Sequence, residues 1–130
     1  LVVAYDFSDP ARRAFELAVF LGRQLKAAVH VATVLESGDS EAVTAGKEIE
    51  NLRQLLEMQT CGTIKTGDLE IQCHALSGRP ADAIVALARE IDAPLILCGT
   101  TGKGAVARTL LGSVSHELVH KSGAIVMSVP

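Results

Sequence analysis

Three residue sets in this chain have types and spacings that could do chemistry. The first is "GTTGKGAVARTLLGS", residues 99–113, which follows the apolar run "LILC". It carries Gly99, Gly102 and the pair Gly112-Ser113, with two and then nine residues between successive glycines. Glycine allows positive φ and close approach of the backbone to a ligand. A Gly-Ser pair opening a helix adds amides, a hydroxyl and the positive end of the helix dipole, which together favour phosphate. The second set is "DFSDP", residues 6–10, whose Asp6 follows another apolar run. The third is "HELVH", residues 116–120, which matches the HExxH zinc motif letter for letter.

Each set has a competing structural reading. "GTTGKG" has too few residues before its Gly-Lys for a Walker A motif and ends in glycine, and GxGxxG spacing is absent too. On physics alone the stretch reads equally as a two-ended polyphosphate grip and as the glycine-rich strand-to-helix turn common in α/β proteins. Gly104 is incidental to both. Ser8 and Asp9 are better placed than Asp6 to cap the following helix, which leaves Asp6 to face a crevice. "HELVH" lacks a third zinc ligand, because the ten residues after it contain no His, Asp or Glu. Val114, Leu118 and Lys121 advance along one helix face and leave His116 and His120 on a more exposed side, so a zinc centre is rejected. His30, inside an apolar strand, reads as a hydrogen-bonded core histidine.

The elements that must position these residues follow from hydrophobic period. Residues 1–5 ("LVVAY"), 27–34 ("AAVHVATV"), 69–76 ("LEIQCHAL"), 95–98 ("LILC") and 124–129 ("AIVMSV") read as strands. Near-continuous apolar character marks parallel strands buried on both faces, whereas the alternation in 69–76 places that strand nearer an edge. One helix starts at a Ser8 or Asp9 cap with Pro10 in its first turn, carries Ala14, Leu17, Ala18, Leu21 and Leu25, and ends near Lys26. A second carries Ile49, Leu52, Leu55 and Leu56; a third starts at Pro80 and carries Ile84, Leu87, Ala88 and Ile91; a fourth spans about Ser113 to Lys121.

Right-handed crossovers make this an α/β three-layer sandwich around a five-stranded parallel sheet, whose order reverses between strands one and four if those are the central neighbours. Ligands in such sheets sit beyond the carboxyl ends of the strands where the order reverses, which brings Asp6 and Gly99 to one crevice.

Composition narrows the function classes. The 130 residues read as one domain, 1–130, with 48% apolar and 21% charged residues and a net charge of −3, a compact rather than disordered chain. No apolar stretch reaches the roughly 18 residues of a membrane span, and no signal peptide or basic tail is present, so the chain reads as soluble, cytoplasmic and not membrane-bound. Twelve Lys and Arg against fifteen Asp and Glu, with one Tyr, three Phe and no Trp, offer no basic stripe or stacking platform for nucleic acid. Cys61, Cys73 and Cys98 are odd in number and contain no CxxC, which fits a reducing compartment. The start at Leu1, inside an apolar run and without a methionine, leaves room for a larger parent chain.

Taken in order, "VVAYDFSDPARRAF", "HVATV", "SGRPADAIVALARE" and "LCGTTGKGAVARTLLGSVSHELVHKSGAIVMSVP" resemble the universal stress protein family over nearly the whole chain. The last segment reproduces the G-2x-G-9x-G-S/T pattern of the family's ATP-binding members without a gap. The resemblance implies an adenine nucleotide hydrolase-like fold, with its five parallel strands in the order 3-2-1-4-5, and ATP, alone or with Mg2+, as cofactor. Residue by residue, it implies that Gly99, Gly102, Gly112 and Ser113 hold phosphate and ribose, that Asp6 and Val31 line the adenine end, and that Val114 and Ser115 assist. Cys98 and Thr101, neighbours of Gly99 and Gly102, complete the candidate set. Thr101 stands where a basic residue is frequent in the family, and Ala4 where some members have proline; the glycine pattern survives both departures.

The last strand is apolar on both alternating faces, a character that in an edge strand invites pairing, and the resemblance likewise implies a homodimer through residues 124–129. The implied function is an ATP-binding regulatory domain in stress response or signalling, acting through nucleotide-dependent dimer contacts or an unidentified partner. ATP hydrolysis needs a positioned water with a base or metal-binding carboxylates, and the glycine stretch has none. The alternatives are a slow ATPase or autophosphorylating enzyme and a dimerisation module without nucleotide.

Overall fold

The computed structural model describes residues 1–36, 42–60, 69–100 and 113–130. Strands and helices alternate along them as β1 (Val2–Ala4), α1 (Asp9–Leu25), β2 (Val29–Leu35), α2 (Ala42–Gln59), β3 (Ile71–Ser77), α3 (Pro80–Glu90), β4 (Leu95–Gly99), α4 (Ser113–Lys121) and β5 (Ile125–Val129). All strand pairs are parallel, in the order β3-β2-β1-β4-β5. This is the order expected from the sequence, with the alternating strand β3 at one edge and β5 at the other. Among the described residues no helix is long and apolar enough to cross a membrane.

β1 is short because it is buried on both faces: Val2 and Val3 have no exposed surface. In-register partners in a parallel sheet share a face, so Val3, Val31 and Leu97 point one way while Val2 and Ile96 point the other. The first group packs with Ala14, Phe15 and Ala18 of α1 and Leu56 of α2; the second packs with Ile84 and Ala88 of α3 and Leu118 of α4. Two cores therefore lie on opposite sides of one sheet.

Local sequence sets the helix ends. Ser8 caps α1, its hydroxyl accepting from the Ala11 N–H at 3.2 Å, with Pro10 in the first turn and Asp9 complementing the dipole. Lys26 ends the helix in a left-handed conformation, φ 53°. Gly78, at φ +120°, makes the turn from β3 into Pro80 and α3, a conformation a side chain would disfavour.

The buried face of α1 differs from the leucine-rich one the period suggests. It consists of Ala11, Ala14, Phe15, Ala18, Val19 and Gly22, while Leu17 and Leu21 are half-buried and Leu25 is exposed. Small residues face the sheet because the helix lies close to it, and the leucines flank that contact. Likewise Leu56 of α2 is fully buried but Leu55 is exposed.

The closest approach occurs at the end of β4. A Cβ on Gly99 would lie 2.7 Å from Pro10 Cβ and 3.0 Å from the Ala11 backbone nitrogen. Of the two freedoms glycine offers, Gly99 uses close approach and not a positive φ; the described glycines with positive φ are Gly78 and Gly123. Gly99 is needed because the first turn of α1 rests on its backbone.

Two stability outcomes follow from this packing. Gly99→Ala forces the α1 backbone off β4 and lowers stability by about 1–3 kcal/mol, the usual cost of overpacking, read as a fall in the urea midpoint without any nucleotide present. Leu118→Ala leaves a cavity beneath α4 and costs about 2–5 kcal/mol in the same measurement, with the m-value unchanged.

Candidate functional site

The site lies where strand order reverses, beyond the carboxyl ends of β1 and β4. Tyr5 extends β1 by donating its N–H to Ala32 O at 2.8 Å, and Asp6 follows. Asp6 Oδ1 accepts from the Ser8 N–H at 3.0 Å and also from the Ser8 hydroxyl. This Asx turn is closed by Phe7 at φ 65°, a left-handed conformation that costs a non-glycine residue about 1–2 kcal/mol. An edge-to-face contact of Phe7 with Tyr5, centroids 5.1 Å apart, contributes about 0.5–1.5 kcal/mol in return.

Ser8 thus serves two neighbours, donating to Asp6 and accepting from the amide of Ala11. As expected, Ser8 rather than Asp6 is the cap. Asp6 is nevertheless not independent of it, since the two share a hydrogen-bonded turn. The D-x-S spacing of "DFS" is the local signal for such a turn.

Cys98 is buried, with 3% of its surface exposed, and its Sγ lies 3.7 Å from Ser128 Oγ on β5. Burial pushes its thiol above the ordinary range, the Ser128 contact opposes this, and the Asp6 carboxylate adds to the rise. The charge of Asp6 is therefore felt at Cys98. Ser128 was absent from the sequence-based set. Its signal was the single hydroxyl in "AIVMSV", on a strand otherwise apolar on both faces.

Gly99 ends β4 against α1, and Thr100 turns toward the far edge by donating its N–H to Val129 O at 2.8 Å. Thr101, Gly102 and Gly112 lie outside the described residues. β5 runs parallel to β4, so α4 must return the chain from the carboxyl end of the sheet, and its first residue, Ser113, starts at the same end as Gly99. Ser113 is exposed there, Val114 is half-buried against the α3-side core, and Ser115 is buried. Val31 has no exposed surface and belongs to the core beneath α1, paired with Val3 and Cys73.

The HELVH residues sit further along α4. His116 and His120 are exposed with ring centroids 4.5 Å apart, and Leu118 between them is fully buried. Glu117 faces Arg79 at 3.7 Å and Lys121 at 3.6 Å, an ion-pair network joining α3 to α4. Among the described residues no three His, Cys, Asp or Glu side chains converge as metal ligands.

Known proteins share this arrangement. Residues 1–130 match the model of the universal stress protein family. A universal stress protein of Thermus aquaticus is 34% identical over 137 residues, covering 99% of this chain and 96% of that protein. A universal stress protein solved in complex with cAMP has the same fold, with a TM-score of 0.75 and 28% identity over 99% of this chain and 94% of that one. The universal stress protein from Archaeoglobus fulgidus solved in complex with dAMP aligns with a TM-score of 0.66 and 26% identity, covering 99% and 95% of the two chains. Matched from end to end by the family model and by a relative 34% identical over nearly its whole length, this chain belongs to the universal stress protein family.

Proposed function

We propose that this chain binds an adenine nucleotide, ATP in particular, in the crevice beyond β1 and β4, as a regulatory ligand in stress response or signalling. The observation that supports the reading is the link between the ends of β1 and β4: Asp6 is bonded to Ser8, Ser8 caps α1, and the first turn of α1 rests on Gly99, at the end of the sheet where α4 begins. Family members of the same fold have been solved with cAMP and with dAMP, which supports an adenine nucleotide as the ligand class.

The roles divide by chemistry. The adenine end is assigned to Asp6, with Cys98 beneath; Val31, expected there from the family resemblance, is enclosed in the core beside Val3 and does not reach the crevice. The ribose and phosphates are assigned to Gly99, Thr101, Gly102, Gly112 and Ser113, with Val114 and Ser115 behind them. The exposed Ser113 at the first position of α4 fits a phosphate, since the positive end of a helix dipole favours negative charge. Gly99 sets the depth of the crevice through its contact with α1. Mg2+ typically takes one or two carboxylates along with substrate phosphates, and Asp6 is the residue of this set that could join it.

Occupancy would be read by a second copy or a partner. β5 is an edge strand whose Ile125 N–H bonds to Pro94 O and whose Val129 O accepts from Thr100. Alternation then turns the N–H and C=O groups of Val126 and Ser128 outward, a template for pairing with the β5 of another copy in a cytoplasmic homodimer.

Calorimetric titration tests the nucleotide reading. ATP binds the wild-type chain, and Ser113→Ala weakens binding by about tenfold or more, since a hydrogen bond to a charged group is worth about 1.5–3 kcal/mol. Gly102→Asp, which sets a carboxylate against phosphate, removes detectable binding. No ATP binding at millimolar nucleotide overturns the reading, and AMP binding as tightly as ATP removes the outer-phosphate role of Gly112 and Ser113. ADP formation in the same samples would make the chain a slow ATPase. For the dimer, Val126→Pro deletes an outward amide while sparing the Ile125 and Val129 bonds to the β4 side. Sedimentation is expected to show a wild-type dimer and a monomeric variant.

A further inference from the structure

The sheet carries a second polar feature, on β2 and β3, that the nucleotide reading does not use. His30 of β2 and His74 of β3 face each other on the α3 side of the sheet, with His30 Nδ1 3.0 Å from His74 Nε2. Their centroids are 5.2 Å apart and their planes are inclined by 25°. A centroid separation close to the N···N distance plus both ring radii is possible only when the rings meet end to end. This is the geometry of one imidazole donating to the other along its ring plane.

Such a bond needs a donor on one ring and a lone pair on the other. It survives with both rings neutral and with one charged. A second proton leaves two donors and no acceptor, and sets two positive charges against each other.

The bond sits where β3 has few other side-chain ties on this face. Of the three β3 side chains pointing that way, Gln72 turns to Glu70 at 2.6 Å, Leu76 packs on the core, and His74 bridges to β2. We infer that the His30–His74 pair is a one-proton clasp that fastens edge strand β3 to β2 on the α3 face and releases it when both rings are charged.

The surroundings favour the neutral pair. Burial lowers His30, with the charge of His74 and the chain's amino group at Leu1 acting in the same direction and Glu70 on the β3 side opposing. Burial also lowers His74, with Glu90 at the end of α3 opposing. A histidine whose proton affinity is lower in the folded state binds fewer protons than in the opened chain, so stability rises with pH. The clasp's contribution is therefore complete above the ordinary histidine value of about 6.5 and is lost as pH falls through the lowered native values. Opening would leave β2 with an unpaired edge, available to another strand.

Hydrogen exchange of the β3 amides in the full chain, corrected for intrinsic chemistry, tests the clasp between about pH 7.5 and pH 5. Protection of β3 is expected to fall by about tenfold for each unit by which the second protonation is depressed, while β1 and β4 amides hold. His74→Gln, whose amide can keep the bond to His30 but cannot take up the second charge, is expected to flatten this dependence. A wild-type profile that stays flat, or one that falls equally in His74→Gln, overturns the proposal. The imidazole resonances of the wild-type chain provide a check that does not depend on the variant folding. Two separated protonation steps support the clasp, and two independent titrations near the ordinary histidine value overturn it.

Discussion

The backbone contact between Gly99 and the first turn of α1 ties together the parts of the chain that build the crevice. With no Cβ at Gly99, Pro10 and Ala11 rest directly on the end of β4. The helix start held there is capped by Ser8, and Ser8 is bonded to Asp6. Asp6 in turn is felt by the thiol of Cys98, the residue before Gly99. A series of contacts thus runs from β4 through α1 to Asp6 at the end of β1, so the position of the candidate carboxylate is set by helix packing as much as by its own strand.

The same closeness shapes the rest of α1. Its buried face combines alanines and Gly22 with Phe15 and Val19, while the leucines line the flanks. On the opposite side Ile84 of α3 and Leu118 of α4 are fully enclosed against Ile96 of β4. The two layers meet the sheet differently, and the candidate nucleotide residues draw on both: Asp6 and Gly99 from the α1 contact, Ser113 to Ser115 from α4.

The histidines illustrate how placement decides chemistry. The HELVH pair, striking the eye as a zinc motif, lies on the exposed side of α4 with its glutamate engaged by Arg79 and Lys121. His30, unremarked by any motif, has a partner held at hydrogen-bond distance by the register of β2 and β3. Reading His30 as a hydrogen-bonded histidine was possible from the sequence, because a polar ring inside an apolar strand needs a partner. That the partner is a second histidine depends on which β3 residue the strand pairing brings alongside.

The sequence by itself determined the element order, the parallel sheet and its edges, and the end of the sheet at which Asp6, Gly99 and Ser113 gather. Hydrophobic period, caps and prolines are local signals, and right-handed crossovers leave few ways to assemble them. Only the tertiary structure decided which face of α1 is buried, why Gly99 must be glycine, that Asp6 shares a turn with Ser8, and that Cys98 sits beside Ser128. These depend on distances between elements remote in sequence. Periodicity shows which way a side chain points but carries no information about how closely the element opposite approaches.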